Sequence, residues 1–202
     1  MTESVEAAER GATRSRPALV RFHAAGARKW HSLPRMISVS AVESPIGVLT
    51  LARGPAGLLR LTLAAETPGS VADDLRSRLG AKVVEDDDAL ADVRDQLGRY
   101  FAGELEEFDV QLDRVLARGF NRACCEAMMR IPYGVTITYG ELAASAGSPR
   151  AVRAAGQACA TNPIAIIGPC HRVLASDGFG GYGGGLDQKR MLLALEGALL
   201  VA

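Results

Sequence analysis

The residues best suited to chemistry in this 202-residue chain are Cys170 and His171, within the Pro-Cys-His-Arg segment of residues 169–172. A cysteine reacts as its thiolate, and a neighbouring base or cation lowers the pKa of the thiol. The segment follows the apolar run of residues 164–167 and precedes a glycine-rich stretch, residues 177–185. Most cysteines, however, are small buried hydrophobes. The pair therefore predicts either an activated nucleophile or an inert core thiol, and the choice between the two depends on the surrounding sequence.

The composition favours a globular protein of one domain or two small ones, since 48% of the residues are hydrophobic and the formal net charge is zero. The four cysteines form no CxxC pair and only three histidines are present, so we predict no metal site and no cofactor. The first residues lack the apolar core of a signal peptide, and no stretch of the sequence is apolar enough to span a membrane. We therefore expect a cytoplasmic protein with free thiols.

The first 115 residues divide into two segments of different character. Residues 1–35 carry seven Lys and Arg residues and little apolar periodicity. They are either a basic arm for nucleic acid or a disordered extension before a true start at Met36, and we expect the extension. Residues 36–115 predict a small α/β domain. Its expected strands and helices cover residues 37–42, 48–52, 58–63, 71–79, 90–101 and 108–112.

Residues 116–202 predict helices and loops, and within them a helix-turn-helix. A first helix from about residue 120 ends at residues 131–134 and places Cys124 and Cys125 in or near a core. Thr138 and Glu141 have the spacing of a capping box, so a second helix should run to Ala146. We expect Gly147 to end that helix, Ser148 to cap the next and Pro149 to lie in its first turn, which gives a third helix over residues 150–160. Two short helices joined by a tight glycine turn make a helix-turn-helix.

The third of these helices has two unlike faces. One is apolar and expected in the core; it carries Val152, Ala155, Gly156 and Cys159. The other is polar and free to meet DNA, although most polar helix faces are only solvated; it carries Arg150, Arg153 and Gln157. Small side chains along the helix would let its backbone approach another element or a nucleic-acid backbone closely.

Taken together, these segments resemble the O6-alkylguanine-DNA alkyltransferases, also called methylated-DNA–protein-cysteine methyltransferases. The resemblance covers about residues 36–197 and agrees in order and spacing. Its segments are Ser44-Pro45-Ile46-Gly47, Ile131-Pro132-Tyr133-Gly134, Thr138-Tyr139-Gly140-Glu141-Leu142-Ala143, Arg153-Ala154-Ala155-Gly156 through Asn162-Pro163, Pro169-Cys170-His171-Arg172-Val173, Gly181-Tyr182-Gly183-Gly184-Gly185 and Leu192-Leu193-Ala194-Leu195-Glu196-Gly197.

The resemblance implies a fold and a reaction. The fold is an α/β ribonuclease-H-like N-terminal domain, residues 36–115, followed by a mostly α, winged-helix-like C-terminal domain with the helix-turn-helix, residues 116–202. The reaction is DNA repair: a monomer binds double-stranded DNA through the minor groove, and a damaged guanine leaves the stack, because a buried nucleophile cannot reach O6 in a stacked base. The cysteine then takes the alkyl group from O6-alkylguanine, and from O4-alkylthymine, and keeps it.

The resemblance also implies roles for individual residues. Cys170 is the alkyl acceptor, His171 takes its proton through a water, and Glu196 orients the imidazole as the third group of a triad. Asn162 holds the cysteine loop, and Tyr139 crowds the 3′ phosphate and promotes rotation of the base. Arg153 fills the gap left in the stack, helped on the same polar face by Arg150 and Gln157. The base pocket is lined by Pro169, Val173, Tyr182, whose hydroxyl donates toward O6, and Gly183.

The sequence departs from the family pattern in ways that affect affinity or pocket size. Cys124-Cys125 replaces an apolar-Trp pair, Gly168 replaces a bulkier aliphatic residue, and Cys159 and Ala160 replace larger groups. The zinc ligands of some family members are absent. Two other functions stay open at this point. One is a non-catalytic lesion-binding protein, against which Cys170 argues, and the other is a helix-turn-helix regulator, which would need base-reading side chains and a dimerisation element.

Overall fold

The computed structural model describes residues 36–63 and 66–198. The predicted extension, residues 1–35, lies outside the described residues, as do the last four residues of the predicted C-terminal domain. The described part of the chain contains no helix long and apolar enough to cross a membrane.

The N-terminal half is a four-stranded sheet with helices. Its strands are β1 (Met36–Val42), β2 (Leu49–Gly54), β3 (Gly57–Thr62) and β4 (Lys82–Glu85), and its helices are α1 (Pro68–Leu79) and α2 (Ala91–Phe101). The strand order is β3-β2-β1-β4, in which only the β1–β4 pair is parallel. Apolar positions of β1, β2 and α1 form one core cluster, and those of β2, β3 and α2 form a second.

Most of these elements follow from local sequence. The Ser44–Gly47 turn closes with a backbone hydrogen bond of 3.0 Å, as the Ser-Pro-Ile-Gly sequence predicts. Helix α1 ends at Gly80, which adopts the left-handed conformation (φ 61°) that glycine tolerates best. The predicted strand over residues 108–112 is wrong, because this segment makes only an isolated bridge, Leu58 to Leu112. Strand β4 was not predicted.

The C-terminal half is helical. Its helices are α3 (Gly119–Met128), α4 (Tyr139–Ser145), α5 (Val152–Ala160) and α6 (Leu186–Leu195), and a two-stranded parallel sheet pairs β5 (Ile137–Thr138) with β6 (Val173–Leu174). The predicted capping box is confirmed: the Thr138 side chain accepts from the Glu141 amide and the Glu141 carboxylate accepts from the Thr138 amide. Helix α3 buries Cys124 fully and Cys125 in part, as predicted.

The start of α5 differs from the prediction. The helix begins at Val152 rather than at residue 150, and its N-cap is Ala151, with no side-chain capping bond from Ser148. The Ala151 amide instead bonds to the Ser148 carbonyl, so the residues between them form a separate turn. Because the buried face is centred on Ala155 and Ala158, Val152 is 43% exposed and does not join the core.

The two halves are joined at the segment that precedes the cysteine. The Leu61 amide of β3 donates to the Pro163 carbonyl, and the Ala165 amide donates to the Leu61 carbonyl. Ile164, Ala165 and Ile166 then complete the core cluster built on β2, β3 and α2. The edge of the N-terminal sheet therefore fixes the chain five residues before Cys170.

Candidate active site

Cys170 lies in a short 3-10 turn, Cys170–Arg172, at the end of a tightly folded loop. Within that loop Ile166 has a φ of 68°, a strained conformation for a β-branched residue. Strain of this kind persists only where neighbouring bonds enforce it, and here they come from Asn162. Its Oδ1 accepts from the Ile164 amide at 3.2 Å, and its Nδ2 donates to the Gly168 carbonyl at 2.7 Å. A Cβ at Gly168 would lie 2.9 Å from the Ile164 carbonyl oxygen, so the loop is closed around this glycine.

His171, the next residue, is fully buried beside a carboxylate. Its Nε2 lies 2.7 Å from Oε1 of Glu196, which follows the last turn of α6. Arg172 donates to both carboxylate oxygens, through Nε at 2.7 Å and Nη2 at 2.9 Å. The Tyr100 hydroxyl of α2 donates to Oε1 at 2.7 Å. The carboxylate therefore lies in a buried cage of donors.

The protonation states follow from this cage. Burial alone would raise the pKa of the Glu196 carboxyl, but the hydrogen bonds from His171 and Arg172 outweigh it and lower that pKa to about 2. Burial lowers the pKa of His171, so the ring is neutral at neutral pH. Because an ionised carboxylate only accepts, Nε2 carries the ring proton and Nδ1 carries the lone pair. Nδ1 is buried without a hydrogen-bond partner among the described residues, which leaves it free to accept a proton.

The acceptor candidate itself is a protonated thiol in this state. Burial raises the pKa of Cys170, while the Asn162 side chain and the charge of Lys189 act in the opposite direction. Lys189 is fully buried on α6, and its ammonium group donates to the carbonyls of Val173, Phe179 and Gly181. The thiol therefore has a base in its own turn and a cation within electrostatic range, the two conditions that favour a thiolate.

The glycine-rich loop lies against this turn. Lys189 connects it to β6, because Val173 belongs to that strand while Phe179 and Gly181 belong to the loop. The Tyr182 hydroxyl is buried and unpaired among the described residues, and its ring packs against the core cluster built on β2, β3 and α2 and against the cluster that contains Cys170. Pro169 and Val173 are buried, whereas Gly183 is exposed. Of the predicted pocket residues, Pro169 and Val173 therefore flank the Cys170–Arg172 turn, and Tyr182 and Gly183 lie in the glycine-rich loop.

Both halves of the chain match models of one family. The ribonuclease-like domain of 6-O-methylguanine DNA methyltransferases matches residues 37–114, and the DNA-binding domain of the same proteins matches residues 119–198. The chain belongs to the 6-O-methylguanine DNA methyltransferase family. The predicted family and its two-domain architecture are therefore confirmed.

Similar proteins come from bacteria and archaea. A methylated-DNA–protein-cysteine methyltransferase of Mycolicibacterium paratuberculosis is 48% identical over 162 residues, which cover 80% of this chain and 93% of that relative. The crystal structure of the Mycobacterium tuberculosis O6-methylguanine methyltransferase is 43% identical, with a TM-score of 0.67, and the match covers 83% of this chain and 96% of that one. A structure of Mycobacterium tuberculosis OGT in complex with DNA is 42% identical over 81% of this chain and 93% of its own, with a TM-score of 0.66.

Three of the residues predicted to bind DNA are exposed, whereas Cys170, His171 and Glu196 are buried. Arg150, Arg153 and Gln157 are exposed at or on α5, while Ala155 and Ala158 on its opposite side share a core cluster with Cys170. Tyr139 begins α4, and its hydroxyl donates to the Gly181 carbonyl at 3.4 Å. In this member of the methyltransferase family, one side of α5 therefore packs over the cysteine and the other faces solvent.

Three residues of the site were not predicted from the sequence: Tyr100, Arg172 and Lys189. Lys189 and Glu196 are seven residues apart, on the helical face that also buries Leu192 and Leu193. Charged residues on the apolar face of a helix require partners, so the spacing of Lys189 and Glu196 indicates two buried, paired charges on α6. Tyr100 fitted the apolar periodicity of α2, but nothing near it in sequence indicates what its hydroxyl contacts.

Proposed function

We propose that this chain repairs DNA by transferring an alkyl group from O6-alkylguanine, and from O4-alkylthymine, irreversibly to Cys170. One observation carries the assignment to this residue. His171, in the same turn, is a neutral imidazole whose Nε2 is fixed by Glu196 and whose buried Nδ1 has no hydrogen-bond partner within residues 36–63 and 66–198. Together with membership of the methyltransferase family, this geometry supports an activated thiol rather than an inert core cysteine.

The reaction balances within these groups. The Cys170 proton passes through a water to Nδ1 of His171, and the resulting imidazolium is stabilised by the Glu196 carboxylate. The sulfur then attacks the alkyl carbon, a C–S bond forms, and the C–O6 bond breaks with its electron pair retained by guanine. The buried Tyr182 hydroxyl, free of other partners among the described residues, is suited to donate toward O6 as negative charge develops there. The proton finally resides on guanine, and the thioether remains on the protein.

DNA binding supplies the substrate to this pocket. We propose that α5 enters the minor groove of double-stranded DNA, that Arg153 occupies the space of the extruded base, and that Tyr139 presses on the 3′ phosphate. The exposed polar face of α5 supports this arrangement, as does the Mycobacterium tuberculosis relative solved in complex with DNA. Arg150 and Gln157 add backbone contacts. The protein would act as a monomer in the cytoplasm.

The proposal predicts repair that stops at one lesion per protein molecule. A duplex with one O6-methylguanine is added in increasing excess, and restored guanine is quantified after digestion. We expect a plateau at about one equivalent, since the thioether is not reversed, and none with Cys170→Ala. Cys125→Ala, a second thiol of the same core, is the matched control and should reach the same plateau. Continued turnover, or a full plateau with Cys170→Ala, would contradict the proposal.

A further inference from the structure

The donors around Glu196 come from two domains. Arg172, His171 and the Gly134 amide belong to the C-terminal half, whereas Tyr100 lies on α2 of the ribonuclease-like domain, 96 residues away in sequence. The geometry points to Tyr100 as a positioning residue of the transfer reaction, through which the N-terminal domain fixes the Glu196 carboxylate and sets the basicity of His171. This inference rests on the proposed function, because it assigns Tyr100 a part in the same reaction.

The packing around Tyr100 does not explain its hydroxyl. The side chain is fully buried, and its ring packs against Phe101 and Phe108, each at 5.3 Å between centroids, and against Tyr133 at 6.3 Å. A phenylalanine would make the same ring contacts. A buried hydroxyl without a partner is costly, and this one bonds to the Glu196 carboxylate at 2.7 Å.

The oxygen that accepts from Tyr100 is the one that contacts His171. Oε1 of Glu196 accepts from the Tyr100 hydroxyl, from His171 Nε2 and from Arg172 Nη2. Each donor withdraws negative charge from that oxygen and holds it in place. Tyr100 cannot supply a proton to the reaction at neutral pH, because burial and the Glu196 charge raise the pKa of its hydroxyl far above the usual value. The effect of Tyr100 is therefore to hold the Glu196 carboxylate in one orientation and to reduce the negative charge on its Oε1 atom.

Other titratable groups surround Glu196 and His171, and any pH dependence of the reaction is measured in their presence. They are Arg172, Tyr133, Tyr182, Lys189 and Cys170. All of these side chains are still present when only the Tyr100 hydroxyl is removed. Without that donor, Oε1 attracts the imidazolium form of His171 more strongly, so the pKa of His171 rises. The neutral base is then lost at a higher pH as the solution is acidified, and the acid limb of the rate profile moves upward.

The test compares Tyr100→Phe with the parent chain and with Tyr133→Phe. Tyr133 is the matched control, because its ring packs against the Tyr100 ring. Its hydroxyl, however, donates to the Leu195 carbonyl at 3.1 Å and not to a carboxylate. Single-turnover alkylation of Cys170 by excess free O6-benzylguanine is measured from pH 5 to 9. Under these conditions the measured rate constant describes the folded molecules, so partial unfolding of a variant does not lower it. Melting temperatures are recorded for all three proteins.

For Tyr100→Phe we expect the acid limb to move upward by about half a pH unit or more, because the carboxylate has lost one hydrogen-bond donor. Tyr133→Phe should keep the parent's limb. An unchanged limb for Tyr100→Phe, with or without a lower melting temperature, would overturn the inference, as would equal shifts in both variants. A parent chain that is not alkylated on Cys170 would instead remove the proposed function, and this inference with it.

Discussion

His171→Ala is expected to slow alkyl transfer to Cys170 by about a hundredfold or more, the range of a general base that acts in the transition state. At neutral pH only a few per cent of an ordinary cysteine is thiolate, and burial raises the pKa of Cys170 further. The variant must therefore rely on a rare thiolate. DNA affinity should stay within about twofold, because His171 is fully buried and offers no side-chain surface to DNA. The rate is measured with a methylated duplex at saturation.

Two further variants separate the base from the packing around it. His171→Gln keeps a donor for the Glu196 carboxylate but removes the base, and should be as slow as His171→Ala. Glu196→Gln keeps the shape but removes the charge that stabilises the imidazolium, and should also be slow. Asp187→Asn, an exposed carboxylate on the same helix paired with Arg190, is the control and should react normally. Transfer by His171→Ala at the parent rate would show that the base is misassigned.

Arg153→Ala is expected to reduce repair of duplex lesions by about a hundredfold while leaving the reaction with free O6-benzylguanine within about twofold. The duplex substrate requires an extruded base, which costs a few kcal/mol and is compensated by a side chain that fills the stack. The free base requires only the pocket. Arg153 is exposed on α5, on the opposite side from the residues that pack with Cys170, so its removal should not disturb the thiol.

Arg150→Ala is the matched comparison for this prediction. Arg150 is also exposed and lies just before α5, and its loss should weaken DNA binding in a salt-dependent way without lowering the rate at saturation. An Arg153→Ala protein that repairs duplex DNA normally would show that Arg153 is a solvated charge. An equal loss in both assays would mean that the substitution damages the fold or the pocket.

The sequence predicts best where local rules decide the structure. The Thr138–Glu141 capping box and the Gly80 helix end follow from contacts within four residues, so their signals are complete in the sequence. Cys170 and His171 are adjacent, so their chemistry predicts a candidate site from the sequence alone. The predicted N-cap at Ser148 is wrong, although it followed from the same local rules. The Ser148 carbonyl accepts from the Ala151 amide in a separate turn, and the helix begins only after that turn.

Long-range contacts could not be predicted in the same way. The segment over residues 108–112 alternates like a strand, but only Leu58 pairs with Leu112 there, and strand formation requires a partner over its whole length. The bond from Tyr100 to Glu196 joins two domains, and no local pattern links two residues that are 96 positions apart in sequence. The buried ammonium of Lys189 has three carbonyl partners, all on segments N-terminal to its own helix.

The most direct test of the account is to locate the transferred group. The chain is incubated with an excess of O6-methylguanine duplex, and intact mass and peptide mapping are then measured. We predict a gain of one methyl group on Cys170 alone, because His171 follows Cys170 directly, whereas neither flanking residue of Cys124, Cys125 or Cys159 is a histidine. A methyl group mainly on one of those three cysteines, or an unchanged mass while guanine is restored, would contradict the assignment of Cys170 as the acceptor.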